Sequence, residues 1–218
     1  VLVGAAGERL LAAFPGSGLP AESGWLSPAI DGVVLADLIW PQGAMRVMDL
    51  ARAAGRPRVV DADATRSPPE AVSEVLGRGT HLIFSRPGLR QHTGAGGIGP
   101  GLRAARERWA AGGGLVGVTD GEKGFYWLDG DRVACIRPPS IRAVDTLGAG
   151  DAFHGAYALG LADGMDEPAA ARFATAVASL KCTRPDGRAG LPDAAEVEAF
   201  SRGLDLAICF PDAAETEE

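Results

Sequence analysis

From residue 33 onward, short β-branched runs alternate with stretches whose apolar residues recur at helical spacing, and this alternation restricts the fold more than any other feature of the chain. Two parallel strands need a long crossover between them, so the rhythm predicts β-α-β units on a parallel sheet. Residues 32–37 (GVVLAD) read as a buried strand. Pro41 then stands where proline suits a helix start, ahead of MRVMDLARAAG. The next strand is 57–61 (PRVVD). Ser67 is placed to cap PPEAVSEVLG, with Glu70 three residues on as in a capping box, and 80–85 (THLIFS) follows as a strand. LRAARERWAAG is helical and 115–119 (LVGVT) extended. The period then changes: FYWLDGDRVACI reads as a hairpin around Asp129 and Gly130, because Asp-Gly supplies the positive dihedrals of a tight turn. Three helical stretches close the pattern, at 149–162, 167–181 and 193–203. The opening VLVGAAGERLLAAF stands outside the rhythm as a second hairpin, turning at Gly4 and Gly7. The acidic end, PDAAETEE, reads as a frayed tail.

Composition narrows the function. With 218 residues, 46% of them hydrophobic, the chain supports one substantial core. A net charge of −7 provides no long-range pull toward nucleic acid or an anionic membrane, so neither is an expected partner and any phosphate must be held locally. Cys135, Cys182 and Cys209 are odd in number and far apart, which implies neither a disulfide framework nor a zinc site. The first residues lack the pattern of a signal peptide, and apolar runs are broken before spanning length, so a reducing, cytoplasmic setting is expected. The chain opens at Val1 inside a strand-like run, as the remainder of a longer protein would.

Two glycine motifs carry potential chemistry. Gly94-Ala-Gly96-Gly-Ile-Gly99 matches a dinucleotide fingerprint formally, with Asp120 some way beyond. In such a site the glycines follow a strand directly, whereas here the strand ends at Ser85, so a plain flexible loop is the preferred reading. The second motif, DTLGAGD from Asp145 to Asp151, runs into the helix AGDAFHGAYALGLAD. Small residues Gly148, Ala149 and Gly150 at a helix start let backbone amides converge on an anion, and the helix dipole adds positive charge there. Asp151, on the first turn, would stand beside a bound phosphoryl group as a proton acceptor. The plain alternative is that Asp145 and Asp151 only cap a helix.

DTLGAGDAF, together with VTDGEKG upstream and RFATAVASLKCTRPDGRAGLP downstream, resembles the ribokinase-like (PfkB) carbohydrate kinase family in content, order and spacing. GERLLAAFPG resembles its lid hairpin, and VVLADLIW and PRVVDAD its central strands. The resemblance implies a three-layer αβα domain with a small β lid. Residues 1–20 would form part of the lid hairpin, 21–210 the α/β kinase domain with its nucleotide half at 115–203, and 211–218 the tail. It implies ATP-dependent phosphorylation of a sugar hydroxyl. Asp151 would be the catalytic base and Gly148, Ala149 and Gly150 the anion hole. Thr119, Gly121 and Gly124 would line the nucleotide site, with Thr175, Ala178 and the loop containing Gly187 near the adenine. ATP and Mg²⁺ would be required, and Asp145 would help to hold a monovalent cation such as K⁺. The lid suggests a homodimer.

Departures from the family pattern carry information too. Where many members have N-x-x-E, this chain has Ser85-Arg-Pro-Gly88, a pattern closer to the ketohexokinase-like branch with its sulfofructose kinases. A further β-α-β portion, with a double-glycine motif and most sugar contacts, is expected upstream of Val1. A nucleoside or vitamin kinase of the same fold and a non-catalytic nucleotide- or sugar-binding relative remain alternatives. His154, three residues past Asp151, reads as a packing residue beside the site. Arg184 and Arg188 flank the glycine-bearing loop within reach of a nucleotide.

Overall fold

The computed structural model describes residues 2–3, 9–10, 22–26, 29–110, 112–212 and 215–216. Strands β1 (Leu2–Val3) and β2 (Arg9–Leu10) pair antiparallel, Leu2 opposite Leu10 and Val3 opposite Arg9, as a two-stranded sheet. The turn expected at Gly4 and Gly7 lies outside the described residues. The main chain then runs β3 (Val34–Ala36), α1 (Pro41–Ala53), β4 (Arg58–Ala62), α2 (Pro69–Leu76), β5 (His81–Ser85), α3 (Arg86–Thr93), α4 (Ile98–Trp109), β6 (Leu115–Thr119), β7 (Phe125–Asp129), β8 (Arg132–Ile136), α5 (Ala149–Ala162), α6 (Glu167–Cys182), α7 (Ala194–Ser201) and β9 (Ile208–Cys209).

β3 to β9 form one seven-stranded sheet in simple chain order. β3 to β6 are parallel, and β7, β8 and β9 continue antiparallel. The switch follows from the connections. Helices carry the chain back between the parallel strands, whereas the short 3₁₀ turn Gly121–Lys123 reverses it between β6 and β7, and the Gly130 turn, φ +59°, reverses it again between β7 and β8. One apolar cluster fills the face beneath α1 to α4, around Met48, Val75, Leu82, Phe84 and Leu102. The other fills the face beneath α5 to α7, around Ile83, Phe125, Phe153, Tyr157 and Ala174. Alternation along β5 sends Leu82 and Phe84 to one face and Ile83 to the other. The result is the expected three-layer αβα arrangement. The register, with Ala36 opposite Val60, Ala62 opposite Phe84 and Ser85 opposite Thr119, gathers the C-terminal ends of β4, β5 and β6 along one edge. In open α/β sheets that edge is where ligands bind.

Several sequence expectations are corrected. Ser67 does not cap α2; its hydroxyl donates to the Leu38 carbonyl at 2.7 Å, Pro68 takes the cap position, and no capping box forms with Glu70. The segment after Ser85 is helix α3, and the Gly94 to Gly99 motif is no open loop: Gly94, φ +76°, terminates α3, and Gly97 starts α4. Cys135 and Cys209, on the neighbouring strands β8 and β9, form a disulfide across a Cα separation of 5.1 Å, against the expectation of no pairing. Their 74-residue separation hid a contact made by strand pairing. Among the described residues no helix is long and apolar enough to cross a membrane.

Candidate active site

The segment from β8 to α5 is shaped by its own polar atoms. Asp145 Oδ1 accepts the Leu147 amide at 2.8 Å, and the Thr146 carbonyl accepts the Ala149 amide at 3.2 Å. Gly148 then turns through φ +74°, a left-handed conformation that a side chain resists, and Ala149 opens the helix. No side chain caps α5, and no acceptor among the described residues is placed on the amides of Gly150 and Asp151. These open donors sit at the positive end of the helix dipole, as an anion hole requires. Asp151, third residue of α5, is exposed beside them.

A cavity of about 610 Å³ begins at this point and extends between α5, α6, α7 and the 3₁₀ turn Gly187–Gly190. Gly148 and Asp151 lie on its lining with Gly187, Lys181 and Arg188, while Phe173, Val177, Leu191 and Val197 provide apolar walls. A polar mouth leading to an apolar interior suits a phosphorylated ligand with a flat apolar ring. Arg184, in contrast, is held by Glu196 through two contacts of 3.0 and 2.9 Å.

These features match known proteins. The model of the pfkB family of carbohydrate kinases matches residues 29–194. The chain belongs to that family. It is 40% identical over 81 residues to the ribokinase of Bacillus subtilis, a stretch covering 37% of this chain and 28% of that protein. The structure of Arabidopsis thaliana ribokinase with ribose and ATP superposes with a TM-score of 0.67 at 26% identity, covering 78% of this chain and 55% of that one. A Thermotoga maritima ribokinase, TM-score 0.71 at 23% identity, shares the fold over 92% of this chain and 68% of its own. The pfkB chain thus spans well under half of the curated ribokinase that it matches. These relatives are ribokinases, so the expectation of the ketohexokinase-like branch gives way to a ribokinase-like placement.

The residues assigned to the nucleotide site of this pfkB chain fall in two places. Gly187 lies on the cavity lining, whereas Thr119, Gly121, Gly124, Thr175 and Ala178 lie off it. Thr175 is buried and its hydroxyl donates to the Ala171 carbonyl within α6, at 2.8 Å. Gly124, φ +115°, is required by packing, since a Cβ there would stand 2.2 Å from the Ile136 carbonyl oxygen. Thr119 ends β6 beside Ser85 and half-buried Asp120, which Arg86 approaches to 3.7 Å.

The N-x-x-E departure has a structural reason. Ser85 caps α3, accepting the Gly88 amide at 3.0 Å, and donates to Asp63. A Cβ at Gly88 would meet the Ala62 carbonyl oxygen at 2.1 Å, so no glutamate fits there without moving α3. Asp61 and Asp63 stand at the end of β4 instead. Burial pushes the Asp61 carboxyl above the ordinary carboxylate range; His154 opposes this, and Asp151, Asp63 and Asp37 reinforce it. His154 is buried, its Nδ1 at 2.8 Å from the Gly150 carbonyl and its Nε2 at 3.2 Å from that of Ile83, with Asp61 at 3.5 Å. It ties the first turn of α5 to the sheet, as the packing reading anticipates.

The expected monovalent cation at Asp145 does not fit. The carboxylate already accepts the amides of Leu147 and Gly187, which hold it below the ordinary range, and the Lys181 ammonium stands 3.5 Å from Oδ2. The sequence reading overlooked Lys181, since a lysine in the last turn of a helix is usually a solvated end.

Proposed function

We propose that the complete protein is an ATP-dependent, ribokinase-like sugar kinase. The observation that carries this reading is the placement of Asp151 beside the open amides of α5, at the mouth of the cavity lined by Gly148 and Gly187. The nucleotide would lie in that cavity with its terminal phosphate at the helix start. The sugar would approach along the C-terminal edge of the sheet, beneath the β1–β2 lid.

In this mechanism Asp151 accepts the proton of the attacking hydroxyl as the sugar oxygen bonds to the γ-phosphorus and the bond to the β–γ bridging oxygen breaks, releasing ADP. Of the expected anion hole, the Ala149 amide is taken by the Thr146 carbonyl, so the open amides of Gly150 and Asp151 at the helix start would stabilise negative charge on the moving phosphoryl group. A magnesium ion would neutralise the triphosphate. The excess of carboxylate at Asp37, Asp61, Asp63 and Asp151 favours a divalent cation, and Asp61 and Asp63 are the residues that would hold it. Among the described residues no group of three or more His, Cys, Asp or Glu is gathered to hold a metal ion.

The test is ADP release by the full-length protein offered ribose, deoxyribose and fructose. Replacing Asp151 with Asn should lower turnover by about 10²–10⁴ while nucleotide binding persists. Near-normal turnover of that variant would remove the assignment. Binding of ATP with no turnover on any sugar would favour a non-catalytic relative.

A further inference from the structure

Lys181 is only 1% exposed, although it carries a charge and lies one residue from the end of α6. A buried ammonium is tolerated only where partners replace its water. Its partners here are two atoms of one residue: Nζ donates to the Asp145 carbonyl at 2.9 Å and stands 3.5 Å from Asp145 Oδ2. The surroundings are rich in oxygen. The Cys182 carbonyl at the C-terminal end of α6 accepts the amides of Val144 and Asp145, at 2.8 and 3.2 Å, and the negative end of the helix dipole points to the same place. Asp145 Oδ2 in turn accepts the Gly187 amide at 3.0 Å. One carboxylate thus joins the segment before the anion hole, the end of α6 and the loop on the cavity wall. That junction concentrates negative charge and needs a cation.

We propose that Lys181 is this cation: a built-in replacement for a bound monovalent metal ion. Its ammonium holds Asp145, and through it Leu147 and Gly187, in the geometry that keeps the anion hole open. Lys181 is a positioning residue, and the protein works without K⁺. The inference rests on the nucleotide-binding part of the proposed function, but not on the identity of the sugar.

The test compares full-length protein in KCl and in tetramethylammonium chloride, each at about 0.1 M so that screening is matched. The readouts are the ADP dissociation constant by calorimetry and the thermal unfolding midpoint without nucleotide. Wild type should give the same values in both salts. Lys181→Ala, which removes the charge and leaves space, should bind ADP at least about tenfold more weakly in tetramethylammonium and recover in KCl but not in LiCl. Lys181→Met, which fills the space without charge, should lose affinity and recover in neither salt. A tenfold or larger gain of wild type in KCl would overturn the proposal, even if Lys181→Ala did not fold. So would a Lys181→Met protein equal to wild type, or a Lys181→Ala loss that no cation repairs. Cation-independent ADP binding without phosphorylation of any sugar would leave this inference standing and remove the kinase reading.

Discussion

Gly148 and Gly150 lie two residues apart in the same motif, yet alanine should act on them in opposite ways. At Gly148 the obstacle is the backbone. Its φ of +74° is left-handed, while an added Cβ would meet only Asp151 Oδ2, at an ordinary 3.7 Å. Gly148→Ala should therefore cost the price of a left-handed L-residue, about 1–2 kcal/mol, with little steric overlap. For a chain of this size that corresponds to a fall in unfolding midpoint of roughly 2–8 °C. At Gly150 nothing lies within 4 Å of the added methyl, and the residue is helical. Gly150→Ala should leave stability unchanged or raise it by up to about 1 kcal/mol, because alanine loses less backbone entropy on folding. Its methyl group would, however, occupy space at the mouth of the proposed phosphoryl site, so turnover should fall at least about tenfold. Calorimetric unfolding and coupled ADP release on the same preparations separate the two effects. An unchanged midpoint for Gly148→Ala would show that its left-handed turn is not needed. Unchanged turnover for Gly150→Ala would show that no phosphoryl group approaches these amides.

Gly88→Ala forces a Cβ to within 2.1 Å of the Ala62 carbonyl oxygen and should destabilise by about 1–3 kcal/mol, read as a lower urea midpoint; an unchanged midpoint would mean that α3 docks more loosely than described. Asp61 predicts a pH effect of definite sign. Its carboxyl is raised in the fold, so its contribution is fully present below the ordinary value of about 4 and is lost as pH rises through the folded value. Asp61→Asn should therefore flatten the decline of stability as pH rises from about 4 up to the folded value, in metal-free buffer, and an unaltered slope would refute the assignment. Peptide mapping without reductant should recover Cys135 linked to Cys209. Reduction should lower stability by up to about 4 kcal/mol, the entropy of a closed loop of this length, and alkylation of both thiols in oxidised protein would contradict the pairing.

Local patterns were legible wherever one element carried its own evidence. β6 spans the residues that the β-branched run indicates, α5 begins at Ala149 in the glycine motif, and the Asp129-Gly130 pair turns the β7–β8 hairpin. Helix α3 was not legible. RPGLRQHT is polar, carries Pro87 and Gly88 in its first turn, and buries only Gly88 and Leu89, so no apolar period announces it. Strand β9 escaped for the same reason, because two residues at a sheet edge carry no alternation.

The order of strands and helices, and the pairing of a glycine turn with Asp151, are local matters of spacing and backbone freedom, and the amino-acid order determines them. Contacts between distant residues obey different physics. Lys181 reaches Asp145 across 36 residues, and Cys135 meets Cys209 across 74, because the sheet and the α5–α6 pair bring them together. Whether a lysine ends a helix in water or neutralises the Asp145 carboxylate before α5 depends on what surrounds it, and only tertiary packing supplies those surroundings.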